Sequence, residues 1–329
     1  MSLKSPPSLP FYANAAFEIM ILIQVFQSHQ SPGTPTATTL EQTSSDFVDF
    51  FQNFEDIFNI TNFKIYITGE SYAGRYVPYI ASAMLDKNDT THFNVSGALM
   101  YDPCIGDWDF TQQEVPVVPF ARANNNVMTY NATFLADLEA RHESCGYAAL
   151  LSTYLTFPPP GPQPATFFNS SANKTCALWE ALDHAAFALN PCFDVYDVTA
   201  GCPLLWDVLG HRTQFDYLPE GAGPAYPNRS DVKRALHVPE DTDWRLDQDF
   251  NVYVASRGSG GPEMAGETSL DPIQFTLPRV IEATGRVLIS NGDLDMIILT
   301  NGTLLAIQNM VSLVWFVSVM MTDCDADVE

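Results

Sequence analysis

One stretch of this sequence decides its fold: IYITGESYAG, residues 65–74. Its first half alternates branched apolar residues and predicts a β-strand, and small residues then form a tight turn over residues 69–73. Ser71 lies at the apex of the turn, and a helix is predicted to follow over residues 76–85. Small residues flank the turn because larger side chains would clash with the strand or the helix. The pattern therefore predicts a lifted, reactive Ser71 hydroxyl, with the backbone N–H of Tyr72 directed at a developing negative oxygen.

The segments around this turn predict an α/β sheet. Phenylalanines recur at helical spacing over residues 43–58, which predicts an amphipathic helix. Strands are predicted at residues 63–68, with Ile65 and Ile67 buried, and at residues 94–101. A further buried strand is predicted at residues 286–290. Because a strand, a helix and a strand follow one another, the strands are expected to pair in parallel.

The middle of the chain differs in composition from its two flanks. Residues 107–218 are rich in Pro, Asn and Cys, with short helices such as residues 177–190, and we interpret them as an insertion that caps the sheet. The core is then residues 41–106 and 219–310. Four cysteines lie in the insertion: Cys145, Cys176, Cys192 and Cys202. They allow three pairings, among which the sequence does not choose, and we expect two disulfides there.

The composition excludes some partners and favours one cellular route. The formal net charge is −24 and the isoelectric point about 4.3, which argues against nucleic acids and anionic membranes as partners. No Cys/His spacing suggests a metal site, and no cofactor is predicted.

The chain carries eight Asn-x-Ser/Thr sequons, at Asn59, Asn88, Asn94, Asn131, Asn169, Asn173, Asn228 and Asn301. The number of sequons exceeds what chance predicts for this composition. It therefore predicts N-glycans and a secretory route, with an extracellular or vacuolar destination.

A longer string around the turn, GESYAGRYVP at residues 69–78, resembles the nucleophile motif of the serine carboxypeptidases, in particular their fungal members. The resemblance continues through residues 194–210, 226–239 and 287–309, and covers roughly residues 40–310. It implies an α/β-hydrolase fold with a cysteine-containing cap insertion. It also implies hydrolysis of C-terminal peptide bonds in peptides or proteins through an acyl-enzyme at acidic pH, without a metal or an organic cofactor. Two alternatives stay open: an inactive fragment or non-catalytic glycoprotein of this fold, and an acyltransferase on the same scaffold.

The resemblance assigns two further roles. An Asp after the strand at residues 286–290 lies where this fold places the triad acid, and the family motif points to Asp295. Asp293 is the alternative, as a turn former. Glu70 matches the acidic residue that binds the C-terminal carboxylate of the substrate. Two carboxyl groups so close share one proton, which favours acidic pH; the alternative is a capping or salt-bridging Glu70.

Two parts of such an enzyme are not apparent in the sequence. The chain order of the triad is Ser, Asp, His, and none of the histidines follows Asp295: His29, His92, His142, His184, His211 and His237. No catalytic base is therefore assigned. The residues before Phe63 are too few for the four or so strands expected there, and the family's Gly-rich loop is absent. We expect several N-terminal strands and the C-terminal His segment to be missing, residues 1–40 to be atypical, and the tail at residues 311–329 to be a translated intron.

Overall fold

A three-stranded parallel sheet lies at the centre of the computed structural model. The structure describes residues 39–164, 174–202, 225–242, 253 and 269–310. The strands β1 (Ile65–Glu70), β2 (Val95–Tyr101) and β3 (Val287–Ser290) lie side by side in that order. Both pairings are parallel, with Glu70 opposite Tyr101 and Tyr101 opposite Ser290. All three strands therefore end at the same edge of the sheet, and the predicted α/β arrangement is confirmed.

Two helices pack beside β1, as their apolar spacing predicts. Helix α1 (Leu40–Phe58) begins at Thr39, whose hydroxyl accepts the Gln42 N–H, and it ends at Asn59 in the left-handed region. It is three residues longer at its start than the sequence predicted. Helix α2 (Ala73–Asp86) follows β1 directly, because the turn is only Ser71 and Tyr72. The buried faces of α1 and α2 meet in one apolar cluster that includes Phe51, Ile65 and Ile80.

The described part of the insertion is mostly helical. A seven-residue π-helix, Trp108–Glu114, opens it. Helices follow in the order α3 (Val117–Ala123), α4 (Asn125–Met128), α5 (Ala132–Ser144), α6 (Tyr147–Tyr154) and α7 (Leu178–Leu189), with a 3-10 turn at Lys174–Cys176. The predicted helix at 177–190 is thus confirmed. These helices share an apolar core that also includes Met296 and Leu299 from the segment after β3.

The predicted pair of disulfides is present in the insertion. Cys145 is bonded to Cys176 and Cys192 to Cys202, with Cα–Cα distances of 5.8 Å and 5.3 Å. The pairing is sequential, one of the three that the sequence allowed. The C-terminal boundary of the insertion at 218 stays a prediction, since residues 203–224 lie outside the described part.

The remaining described elements are three helices and two 3-10 turns. Helix α8 (Ser230–Ala235) is short, and α9 (Thr276–Thr284) and α10 (Thr300–Gln308) precede and follow β3 in the chain. Two 3-10 turns cover Tyr226–Asn228 and Pro272–Gln274. Within the described ranges, none of the helices combines the length and the apolarity that crossing a bilayer requires. Of residues 1–40 and 311–329, for which the sequence predicted atypical segments, the structure describes only residues 39 and 40.

The prediction that β3 is a buried strand was wrong. Its residues alternate between half-buried and exposed, and Leu288 is 60% exposed. Val287 and Ile289 pack on the cluster formed with α9, while the side chain between them points to the other face. A short apolar run does not reveal whether one or both faces of a strand are covered.

Candidate active site

Ser71 lies on a sharp turn between β1 and α2. Its φ of 59° is in the left-handed region, which a residue with a side chain rarely adopts. Three backbone hydrogen bonds hold it there. The Ser71 N–H donates to the Tyr101 carbonyl (3.0 Å), and its carbonyl accepts the N–H groups of Gly74 and Cys104 (both 2.9 Å). Ser71 is nevertheless exposed, as the sequence predicted.

The two glycines beside Ser71 are required by close approach. A Cβ on Gly69 would lie 2.4 Å from the Cβ of Ala73, and one on Gly74 would lie 2.6–2.7 Å from Pro103 Cβ and the Cys104 nitrogen. Both separations are well below van der Waals contact. The motif therefore has small residues at these positions because the strand, the start of the helix and the chain after β2 converge on the turn.

Glu70 and Tyr72 flank the serine on either side. Glu70 is the last residue of β1, and it is exposed. Tyr72 precedes the first residue of α2, so its backbone N–H is at the positive end of that helix. Both residues thus adjoin Ser71 at the turn, and their roles in binding a substrate carboxylate and an oxyanion stay predictions.

Asp295 lies beyond the end of β3, on the edge of the sheet that also bears Ser71. It is only 7% exposed, and its Oδ1 accepts the Ile297 N–H at 2.6 Å. Burial raises the pKa of Asp295 to about 7, an effect that the Ile297 N–H opposes and the Asp102 carboxyl reinforces. The alternative acid, Asp293, is exposed and accepts a hydrogen bond from Thr300 Oγ1 at 3.3 Å, as a turn former does. The geometry favours Asp295.

Asp102 joins the ends of β2 and β3, and no sequence motif pointed to it. Its backbone N–H donates to the Ser290 carbonyl at 2.8 Å, and its Oδ1 accepts the Gly292 N–H at 2.6 Å. Its φ of 41° is again in the left-handed region. Burial raises the pKa of Asp102. Asp102 thus holds the start of the segment that leads to Asp295.

Cys104 is a second residue of the site that sequence reasoning missed. It is buried at 6% exposure, and within the described residues it is the one cysteine outside a disulfide. Burial raises the pKa of its thiol to about 12, against a hydrogen bond with the Ser71 side chain. The Arg75 guanidinium also opposes the rise, and the carboxyls of Asp109 and Asp295 add to it. The neutral thiol therefore lies beside the Ser71 hydroxyl, and it is close enough to Asp295 to sense its charge.

The described histidines occupy other parts of the molecule. The His92 Nδ1 lies 3.1 Å from the buried Glu55 carboxylate, at the start of β2 and so at the sheet edge opposite Ser71. His142 is buried against the Tyr147 ring in the insertion, where burial lowers its pKa. His184 is exposed on α7, and His237 is exposed just after α8. None of these described residues is assigned as a base, and His29 and His211 lie outside the described part.

A strand-turn-helix with a serine at its apex, next to parallel strands of which one precedes a buried Asp, defines an α/β-hydrolase fold. Residues 26–322 match the family model described as serine carboxypeptidase. The chain belongs to this family. The matched range is wider at both ends than the roughly 40–310 over which the resemblance was recognised from the sequence.

The comparisons also identify individual relatives. The chain is 55% identical over 280 residues to serine-type carboxypeptidase F of Aspergillus niger, covering 85% of this chain and 52% of that protein. It is 41% identical over 281 residues to a probable serine carboxypeptidase of Arthroderma benhamiae, covering 85% and 50%. The chain thus spans about half the length of these curated relatives.

A solved structure supports the fold. The crystal structure of a prohormone-processing carboxypeptidase from Saccharomyces cerevisiae aligns with a TM-score of 0.56 at 20% identity. The alignment covers 85% of this chain and 54% of that one. At this identity the likeness concerns the fold alone, and it agrees with the α/β-hydrolase assignment.

Proposed function

We propose that this protein is a serine-type carboxypeptidase that removes C-terminal residues from peptides or proteins at acidic pH. The observation that carries the proposal is Ser71: an exposed serine held at a left-handed φ on the strand-to-helix turn of a serine carboxypeptidase family chain. Such a conformation costs on the order of 1 kcal/mol or more and persists at sites where function requires it. No metal ion or organic cofactor takes part in the proposed reaction.

In the proposed reaction Ser71 Oγ attacks the carbonyl carbon of the C-terminal peptide bond. The negative oxygen that forms is stabilised by the Tyr72 N–H at the start of α2. The C-terminal amine leaves with a proton, and the acyl group stays on Ser71 until water releases it. Glu70 binds the terminal carboxylate of the substrate, sharing a proton with it at acidic pH.

Asp295 orients the base that takes the Ser71 proton. Burial raises the pKa of Asp295 to about 7. Below that pH, an Asp295 carboxyl without a cationic partner is therefore protonated and has no negative charge with which to orient a base. A cationic imidazole beside it favours the carboxylate, as in other triads. The role of Asp295 therefore depends on a histidine that none of the described residues supplies.

We also propose that the chain carries N-glycans and follows the secretory route to the vacuole or the cell exterior. Of its sequons, those at Asn59, Asn88 and Asn131 begin at exposed side chains. A loss of mass on enzymatic deglycosylation of the protein from its native source checks this. Unchanged mass would contradict it.

Hydrolysis of an N-blocked dipeptide at acidic pH tests the proposed activity. Ser71→Ala is expected to lower kcat by several orders of magnitude, as loss of a nucleophile does. The matched control is Ser152→Ala, which removes a hydroxyl from the surface of α6 and is expected to keep full activity. A substrate with an amidated C-terminus should be hydrolysed poorly. An inactive unmodified protein would support the non-catalytic alternative. A Ser71→Ala variant as active as the unmodified protein would instead refute Ser71 as the nucleophile.

A further inference from the structure

The backbone on both sides of Asp295 is bonded to the insertion rather than to the sheet. The Leu294 carbonyl accepts the Val198 N–H at 3.1 Å, and the Met296 N–H donates to the Val195 carbonyl at 2.7 Å. These two bonds come from the short loop that Cys192 and Cys202 close. The carboxyl itself contacts its own chain through the Ile297 N–H, so its position follows that of this segment.

Two side chains of the insertion hold the next two carbonyls. The Trp179 indole Nε1–H donates to the Met296 carbonyl at 2.7 Å, and the Gln113 Nε2 donates to the Ile297 carbonyl at 3.1 Å. Trp179 is itself fixed, because Glu114 Oε2 accepts its backbone N–H and caps the start of α7. We call Gln113, Trp179, Val195 and Val198 the acid-segment contacts.

We propose that the insertion positions the triad acid: the acid-segment contacts hold Asp295 in its catalytic place, with Trp179 as the main side-chain positioning residue. The inference rests on the proposed function, because it takes Asp295 as the acid. A capping insertion that only covered the sheet could contact it through apolar packing alone. Here three residues around the acid, Leu294, Met296 and Ile297, are each hydrogen-bonded to the insertion.

The chemistry explains why such contacts matter. An orienting carboxylate must be held within about 0.5 Å of its working position. Asp295 lies on a segment between β3 and α10, and segments of that kind are more mobile than the elements they join. Hydrogen bonds to the preceding and following carbonyls fix the direction in which its Cα–Cβ bond points. Removing one of them leaves the nucleophile and the substrate-binding residues untouched.

Hydrogen exchange tests the positioning without relying on activity. In Trp179→Phe the ring still packs, but the donor to Met296 is lost. We expect the Ile297 amide, which is bonded to the Asp295 carboxylate, to exchange about tenfold faster, with the sheet amides unchanged. The matched control is Tyr130→Phe, which removes a 3.2 Å bond from an aromatic hydroxyl to the Leu182 carbonyl of the same helix, α7. It should leave residues 294–298 unchanged.

Kinetics test the catalytic consequence. Trp179→Phe is expected to lower kcat about 10- to 100-fold while KM changes less than about twofold, since only orientation is lost. Gln113→Leu removes the hydrogen bond to the Ile297 carbonyl and should also speed up exchange and lower kcat. It replaces Trp179→Phe as the test variant if Trp179→Phe does not fold. Unchanged exchange at residues 294–298 in both variants, or faster exchange with an unchanged kcat, overturns the inference. If the unmodified protein has no activity, the proposed function fails, and the exchange data alone decide whether the insertion holds Asp295.

Discussion

Ser71 combines a strained backbone with an exposed side chain. A residue other than glycine in the left-handed region costs on the order of 1 kcal/mol, and here three backbone hydrogen bonds hold the conformation. The same bonds join the turn to Tyr101 and Cys104, at the end of β2. The position of the Ser71 hydroxyl is thus set by the sheet edge and not by its own side-chain packing.

The raised pKa of Asp295 makes the stability of the protein pH-dependent. From its usual value of 3.8 it rises to about 7, so the folded chain holds a proton that the unfolded chain releases between these values. The stability contributed below pH 3.8 is lost as the pH rises through about 7. Asp295→Asn removes this loss. We expect the variant to gain on the order of 3 kcal/mol relative to the unmodified protein between pH 4 and pH 8.

Urea unfolding at these two pH values measures the difference. Asp293→Asn, at the exposed neighbouring carboxylate, is the matched control and should show a much smaller change. An Asp295→Asn variant whose relative stability stays constant from pH 4 to pH 8 would contradict the assignment of a buried, protonated carboxyl.

Among single residues, the sequence predicted those that belong to a recognisable motif. Ser71 and its flanking glycines are recognisable because steric constraints require small residues at fixed spacing. Asp102 and Cys104 had no such signal, because their roles arise from hydrogen bonds to residues far away in the chain. The preference for Asp295 over Asp293 came from the family resemblance, and their different burial agrees with it.

Among the elements, periodic apolar residues predicted helices better than strands. Helix α1 was predicted from its phenylalanines, and its true start at Leu40 is set by the Thr39 cap, which lies just before the periodic region. Strand β3 was located correctly, but its burial was not, because four residues are too few for alternation to be distinguished from a continuous apolar run. Element ends depend on caps and on neighbours that periodicity does not report.

Helix α5 has a cap that is also a glycosylation sequon. The Asn131 Oδ1 accepts the Phe134 N–H at 2.9 Å. In protein made without glycans, Asn131→Ala should lower the free energy of unfolding by about 1 kcal/mol. Thr133→Ala removes the sequon but keeps the cap, and it should change stability by less than about 0.5 kcal/mol. Equal effects of the two substitutions in thermal or urea unfolding would contradict a capping role for Asn131.

In the molecule as a whole, segments far apart in sequence meet around Arg75. Its guanidinium lies 3.1 Å from the Asp271 carboxylate, with side chains 7% and 14% exposed. It also donates to the Gly106 carbonyl at 3.3 Å, while Asp271 accepts the Gly106 N–H at 3.0 Å. This pair connects α2, the chain after β2 and the segment before α9, behind the turn that bears Ser71.

Breaking this pair should destabilise the fold strongly. Asp271→Ala leaves a buried guanidinium without its partner, and we expect a loss of about 3–5 kcal/mol in the free energy of unfolding. The control is Asp231→Ala, which breaks an exposed ion pair with Arg229 and should cost far less, because solvent screens that pair. The double variant Arg75→Met/Asp271→Leu should recover part of the loss. If Asp271→Ala costs no more than Asp231→Ala, the pair has no structural role.

The sequence did not predict the contacts between segments that lie far apart in the chain. The insertion was recognised from its composition, and two disulfides were expected in it. That the insertion holds the segment around Asp295 could not be foreseen, since backbone carbonyls accept hydrogen bonds whatever their side chain. The segment after β3 is apolar, and it was recognisable as a site only through its aspartates.

The central claim, that Ser71 is the nucleophile, is tested most directly by covalent labelling. The protein is treated at acidic pH with a peptidyl organophosphonate that carries a free C-terminal carboxylate, and the adduct is located by mass spectrometry. We predict one adduct per chain, on Ser71, which forms more slowly when a peptide substrate competes and is absent from Ser71→Ala. Labelling at another residue, or equal labelling of Ser71→Ala, would contradict the account.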